Sequence, residues 1–299
     1  MAHVLTLYYH RLSENNYDFN MLAVSPERFR QQLLYLKKRY CIVRASEDWN
    51  TLKKDAVCIT FDDGYLDNIE NGMQILEELE IPITIFVTTG FMSDNSVPWW
   101  DELERCLLVG DIFPKEFSLE DREFSFSRLT TSKEKREDLY KSLHFLMKNF
   151  IDSERRIDWL RQLCRWRKIE PDKGKMIDEK ACCIAANSNY IELGAHTITH
   201  PSLLSMDINL QENEMKDSKE RLSQIINKDV TVFSYPFGQK DVDYSNQTVD
   251  ISRKYFEKAF TTNRGIWKTG DSFYEIPRVV IRNWEIFSFA DKIEEYWKK

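Results

Sequence analysis

No stretch of this chain approaches the ~18 consecutive apolar residues that a membrane-spanning helix needs. The N-terminus, Met1-Ala2-His3-Val4-Leu5-Thr6, has no basic segment followed by a long apolar one, so neither a span nor a secretory leader is expected. There is no basic excess either: 42 Lys and Arg stand against 49 Asp and Glu, a net charge of −7, which excludes the electrostatic footprint of a nucleic-acid binder. Cysteine is sparse, six in 299 residues and none in a C-x-x-C pair, so the thiols read as reduced and buried and the chain as cytoplasmic. Histidine is scarcer still: there are five, and none follows His200. That scarcity makes their positions informative.

What is present is concentrated in a few short stretches. Ala56-Val57-Cys58-Ile59 is an apolar run of the kind that forms a buried strand of a parallel sheet, and it leads into Thr60-Phe61-Asp62-Asp63-Gly64-Tyr65. Gly64 lets the backbone turn sharply after the strand. Two adjacent carboxylates at the end of a buried strand are costly without a partner or a task. Taken alone, the pair could simply cap a helix beginning near Asp67.

A second apolar run, Ile191-Glu192-Leu193, precedes Gly194-Ala195-His196-Thr197-Ile198-Thr199-His200. If the segment is helical, the four-residue spacing puts both imidazoles on one face. Two histidines and one carboxylate from another strand end make a three-ligand set with open positions on a divalent metal. The other carboxylate is then left to act as a base.

These two stretches resemble the first two motifs of the polysaccharide deacetylases, the NodB-homology family of carbohydrate esterases (family 4-like). Phe233-Ser234-Tyr235-Pro236-Phe237-Gly238 is similar to a third, aromatic-Arg-x-Pro-aromatic-Gly. The resemblance covers about residues 1–95 and 187–285. It implies a distorted (β/α)7 barrel, and it implies that Asp63, His196 and His200 hold a divalent metal, Zn by default with Co, Ni or Fe as alternatives. Asp62 is then the general base, and Tyr235, Phe237 and Arg278 serve the oxyanion and substrate, the donor being the backbone N–H of Phe237. The substrate implied is an N-acetylated sugar of surface polysaccharide or glycoconjugate biosynthesis.

There are two departures from the family pattern. The late Leu-x-His that supplies the general acid is missing, and His10 is the natural replacement, because Val4–Tyr9 reads as a first strand that delivers it to the same sheet edge. Tyr9-His10 is similar to the early Tyr-His segment of one subgroup. The second departure is Ser234 in place of the arginine that orients the base; Arg264, Arg278 and Arg282 are the candidates to substitute. Both departures also suit an alternative, a catalytically inactive carbohydrate-binding barrel. A non-haem iron oxygenase is a third reading of the same ligands, disfavoured by the spare carboxylate and the Tyr-Pro-Phe-Gly turn.

Along the chain, strands are expected at Val4–Tyr9, Ala56–Ile59, Ile83–Val87, Ile191–Leu193, Val230–Phe233, Ala259–Thr262 and Ile276–Val280, about seven in all. Helices fall between them: one capped by Ser25, then 68–80, Asn213–Ile226, 248–258 and Glu285–Trp297. This alternation argues a parallel sheet or barrel with its site at the strand C-termini. It breaks at 97–186, a charged segment of helical period with a cap at Ser153. The expected organisation is therefore a barrel of 1–96 and 187–299 with a helical insertion of 97–186 at its rim. Trp99 and Trp100 open that insertion, where they suit a sugar ring, a membrane interface on the inner face, or simple packing.

Overall fold

The computed structural model describes residues 2–14, 18–92, 97–174 and 176–298. The chain forms two compact units: Met1–Met92 with Lys175–Lys299, and Ser93–Gly174.

The first unit is a nearly closed barrel of seven mostly parallel strands. In chain order these are β1 (His3–Tyr9), β2 (Ala56–Phe61), β3 (Ile83–Val87), β4 (Ile191–Ala195), β5 (Val232–Ser234), β6 (Lys258–Phe260) and β7 (Arg278–Val280). They lie side by side as β6-β5-β4-β3-β2-β1-β7, every neighbouring pair parallel. A parallel bridge between Phe260 and Ile276 brings the two ends of the series together. Every residue of β2 and β3 is buried, as their unbroken apolar runs require. Two short strands extend the sheet: Cys41–Val43 runs parallel to β2, and Trp267–Lys268 pairs antiparallel with the start of β1.

Helices cover the outside. α1 (Pro26–Arg39) starts as its sequence predicts, with the Ser25 hydroxyl accepting the Arg28 N–H and Pro26 in the first turn. The helix expected over 68–80 is interrupted. Asp67–Glu70 and α2 (Met73–Leu79) are separate, and a Cβ at the intervening Gly72 would lie 2.3 Å from the Asn68 carbonyl oxygen. α3 (Glu179–Asn187), α4 (Ile208–Ile226), α5 (Asn246–Tyr255) and α6 (Ile286–Trp297) complete the shell. α4 begins five residues before the expected start because Asp207 caps it, accepting the Asn209 and Leu210 N–H groups.

The second unit differs from the expected 97–186 insertion in two ways. α3 belongs to the barrel, since Ala181, Cys182, Ala185 and Ala186 enter the barrel core. The unit is also not purely helical. Glu116–Glu120 and Ser125–Leu129 form an antiparallel hairpin among three helices, Trp99–Leu108, Lys133–Asn149 and Ser153–Arg167. The alternation of Phe117 and Leu119, buried between exposed neighbours, carried that signal, but charged flanks obscured it. The cap of the third helix is Asp152 rather than Ser153. The expected boundary at 96 falls against residues 93–96, which lie outside the described residues. Among the described residues no helix is long and apolar enough to cross a membrane. All six cysteines are free; four are buried, Cys41 is half-buried, and Cys183 is exposed, against the expectation of buried thiols throughout.

Candidate metal and acid-base site

The strand ends gather the two leading motifs. β2 and β4 flank β3 on either side, so their C-terminal turns emerge next to one another. The end of β3 fastens both: the Thr88 N–H donates to the Asp63 carbonyl at 3.3 Å, and the His196 N–H donates to the Val87 carbonyl at 3.1 Å. Backbone strain is concentrated here. Asp63, Thr197, His200 and Phe237 all sit at positive φ, 74°, 66°, 51° and 58°. Each is costly for a side-chain-bearing residue, most of all for β-branched Thr197, and such geometry is kept where a site demands it.

Asp63 Oδ1 lies 3.2 Å from His200 Nε2 and 3.5 Å from His196 Nε2, with all three side chains buried. Their ligand atoms fall within 4.8 Å of one another. The His196 Nδ1 lies 2.7 Å from the Ser234 carbonyl oxygen. That oxygen can only accept, so Nδ1 carries a proton and Nε2 is the ring atom turned toward the carboxylate. Two acceptors facing each other at this distance need a proton or a cation between them. The donor set is one carboxylate and two imidazoles, with a backbone carbonyl fixing a ring from behind, and it fits a divalent metal. The histidines do not sit on a helical turn as expected. Thr197–His200 is an irregular loop, and the positive φ values bring the rings to 4.9 Å between centroids.

Asp62 is held differently. Arg278 donates to both its oxygens, Nη1 to Oδ1 and Nη2 to Oδ2, each at 2.7 Å. The same guanidinium donates to Ser234 Oγ at 2.7 Å, Thr60 Oγ1 at 3.2 Å and the Thr261 carbonyl at 2.8 Å, and it is fully buried. Burial by itself would raise the Asp62 carboxyl, but Arg278 outweighs it, helped by His196, and holds the pKa below the usual range. Asp63 is likewise low, burial again being overcome by its two histidine partners.

His10 follows β1 and is partly buried. Burial lowers its pKa, opposed by the charges of Asp63 and Asp62, which places the imidazole in the field of both carboxylates. Phe237 sets its ring 4.8 Å from that of His200, edge to face. Tyr235 does not belong to the site. Its ring stacks on Tyr244 at 4.3 Å, its hydroxyl is bonded to Ser252 Oγ and the Tyr274 carbonyl, and its N–H goes to the Phe260 carbonyl. Arg278, expected to serve substrate, is instead fully engaged with protein groups and Asp62. Arg264 and Arg282 have no described bond to that carboxylate. Trp99 and Trp100 are only 4% exposed, so neither presents a platform for a sugar.

One participant left no sequence signal. Glu214, buried on α4, accepts the N–H groups of Ile198 and Thr199 on one oxygen (2.7 and 2.9 Å) and the Thr199 hydroxyl on the other (2.6 Å). It clamps the loop that carries both histidines.

The family model for polysaccharide deacetylases matches residues 50–116 and 173–256, together just over half of the chain, so the chain belongs to the polysaccharide deacetylase family. The match covers the Asp-Asp, His-x-x-x-His and Tyr-Pro-Phe-Gly segments. YxkH of Bacillus subtilis, whose name places it with the polysaccharide deacetylases, is 29% identical over 90 residues, which are 30% of this chain and 31% of YxkH. Solved structures of similar fold include IcaB from Ammonifex degensii (TM-score 0.63, 17% identity, 99% of this chain and 97% of that one). They also include the polysaccharide deacetylase BC0361 from Bacillus cereus (0.61, 20%, 97% and 69%), and the Streptococcus pyogenes deacetylase PplD, solved in complex with acetate (0.58, 18%, 98% and 98%).

Proposed function

We propose that the chain is a metal-dependent carbohydrate N-deacetylase, hydrolysing the N-acetyl amide of a sugar in surface polysaccharide or glycoconjugate biosynthesis. The observation that carries this reading is the division of labour between two adjacent buried carboxylates. Asp63 goes to two imidazoles and Asp62 to one guanidinium. Family membership supports the substrate class, and the acetate complex of PplD is in keeping with the product.

Asp63, His196 and His200 are the residues that would hold the divalent cation, which when bound supplies Lewis acidity to the amide carbonyl and acidity to water. Zn suits the set best, with Co, Ni and Fe as alternatives. Asp62 takes the proton from the attacking water, its two oxygens held in place by Arg278. The Phe237 N–H, in the turn beside His200, is the donor assigned to the developing oxyanion. His10, in the field of both carboxylates, passes the proton taken up by Asp62 on to the nitrogen as the carbon–nitrogen bond breaks, so one water is consumed and acetate and an amine leave.

The test is metal content by elemental analysis of wild type and Asp63→Asn, with acetate release from N-acetylated sugars assayed alongside. Stoichiometric metal that depends on Asp63, together with acetate from wild type alone, supports the reading. A wild-type protein that takes up no metal at the Asp63 site would sink it.

A further inference from the structure

The second unit contains a side-chain cluster with no part in the chemistry above. Glu102 and Cys106 are four residues apart on the helix Trp99–Leu108 and so share a face. Cys164 meets them from the helix Ser153–Arg167, its sulfur 3.6 Å from that of Cys106 and 2.8 Å from Glu102 Oε1. One ligand atom from each of the three lies within 4.8 Å of the others, and all three side chains are buried.

Arg105 pairs with the buried carboxylate, but neither thiol needs a carboxylate as a neighbour. As a ligand set the grouping is coherent. Two sulfurs and a carboxylate oxygen suit a borderline-soft divalent cation, and legs of about 2.3 Å in a tetrahedron set two sulfurs about 3.8 Å apart. The charges also balance: two thiolates and Glu102 carry three negatives, and a dication with Arg105 returns three positives. Arg105 is placed for that. It donates to both oxygens of Glu102 at 2.9 and 2.8 Å and is anchored on the Glu170 carbonyl at 2.6 Å, the kind of outer contact that orients a ligating carboxylate.

We propose that Glu102, Cys106 and Cys164 form a second divalent-cation site, of thiolate type and suited to Zn²⁺, that joins the two helices of this unit. Loading the site releases one proton from each sulfur to solvent.

The experiment uses the full chain under a phosphine reductant, stripped with chelator and titrated with Co²⁺. Asp63→Asn, which disables the first site, should still bind one Co²⁺ per chain with a sulfur-to-cobalt charge-transfer band in the near ultraviolet. Adding Cys106→Ser or Cys164→Ser to that background should abolish the band and the binding, while circular dichroism shows the helices retained. Two separate serine variants guard against one of them failing to fold. Uptake of no Co²⁺ by Asp63→Asn, or uptake without the thiolate band, overturns the proposal. If wild type binds a single Co²⁺ with that band, unaffected by Asp63→Asn, the barrel reading fails and this one stands.

Discussion

Arg278 grips Asp62 through two parallel hydrogen bonds of 2.7 Å, with both side chains buried. The fork-to-fork geometry fixes the carboxylate plane, and the remaining donors of Arg278 go to Ser234, Thr60 and Thr261. Asp62 is thereby kept ionised and aimed, at some loss of basicity, because the interactions that hold it also lower its pKa. Removing the guanidinium leaves a buried charge without compensation.

Arg278→Ala should therefore destabilise the protein by about 3–5 kcal/mol, the range for breaking one side of a buried ion pair. Arg278→Lys should recover only a minor part, since an ammonium cannot reproduce the planar fork. Urea denaturation reads both. Arg264→Ala, with no described bond to Asp62, should leave the midpoint near that of wild type. Equal losses for the two alanine variants would contradict the assignment.

Much of this site was legible because the strand-end motifs are local in sequence. A buried run followed by Asp62-Asp63-Gly64, and another followed by His196 and His200, announce themselves within a few residues, and the alternation of strand and helix supplies the barrel. Arg278 was harder, standing 216 positions from Asp62. Ser234 occupies the position where the family carries its arginine, and only the closure of β7 onto β1 brings the substitute to the carboxylate, with Ser234 receiving one of its bonds. Tyr235 misled because an aromatic motif residue looks the same whether it faces ligand or core; its hydroxyl partners, Ser252 and Tyr274, are visible only in three dimensions. The histidine loop imitated a helical turn by spacing alone, and the positive φ values that shape it are not encoded by a glycine.

Glu214 has the next consequence. Its carboxylate accepts from two loop N–H groups and one loop hydroxyl beside the histidines. Glu214→Ala should weaken metal binding about 10–100-fold, as loss of an outer-shell contact does. Glu214→Gln keeps one accepting oxygen and should fall between the two. Competition with a chromophoric chelator measures it; an unchanged affinity in Glu214→Ala would show that the loop holds its shape without the clamp.

Gly90 tests the same loop from the other side. Its N–H donates to the Ile198 carbonyl at 2.8 Å, and a Cβ placed there would stand 2.2 Å from that oxygen. Backbone cannot swing aside as a flexible side chain can, so the loop must move. Gly90→Ala should cost about 1–3 kcal/mol, as overpacking does, and should lower metal affinity together with stability. Thermal melting with and without added metal separates the two effects. A variant that melts and binds like wild type would place the loop's rigidity elsewhere.

His10 offers a test through pH. Burial lowers its pKa against the pull of Asp63 and Asp62, with Arg282 and Arg278 adding to the lowering. The folded imidazole therefore binds its proton less readily than the unfolded one, whose pKa is about 6.5. Above that value both states hold a neutral ring and His10 contributes no pH dependence. Below it the unfolded chain takes up a proton that the folded chain excludes, so stability falls with pH, by at most about 1.4 kcal/mol per unit for one group. The low carboxylates Asp62 and Asp63 titrate further down, below about pH 4, and do not obscure this window. In metal-free protein, urea midpoints measured at about pH 7.5 and about pH 5.5 should drop in wild type and drop less in His10→Asn. If the two proteins lose the same stability over that interval, burial does not depress the His10 imidazole.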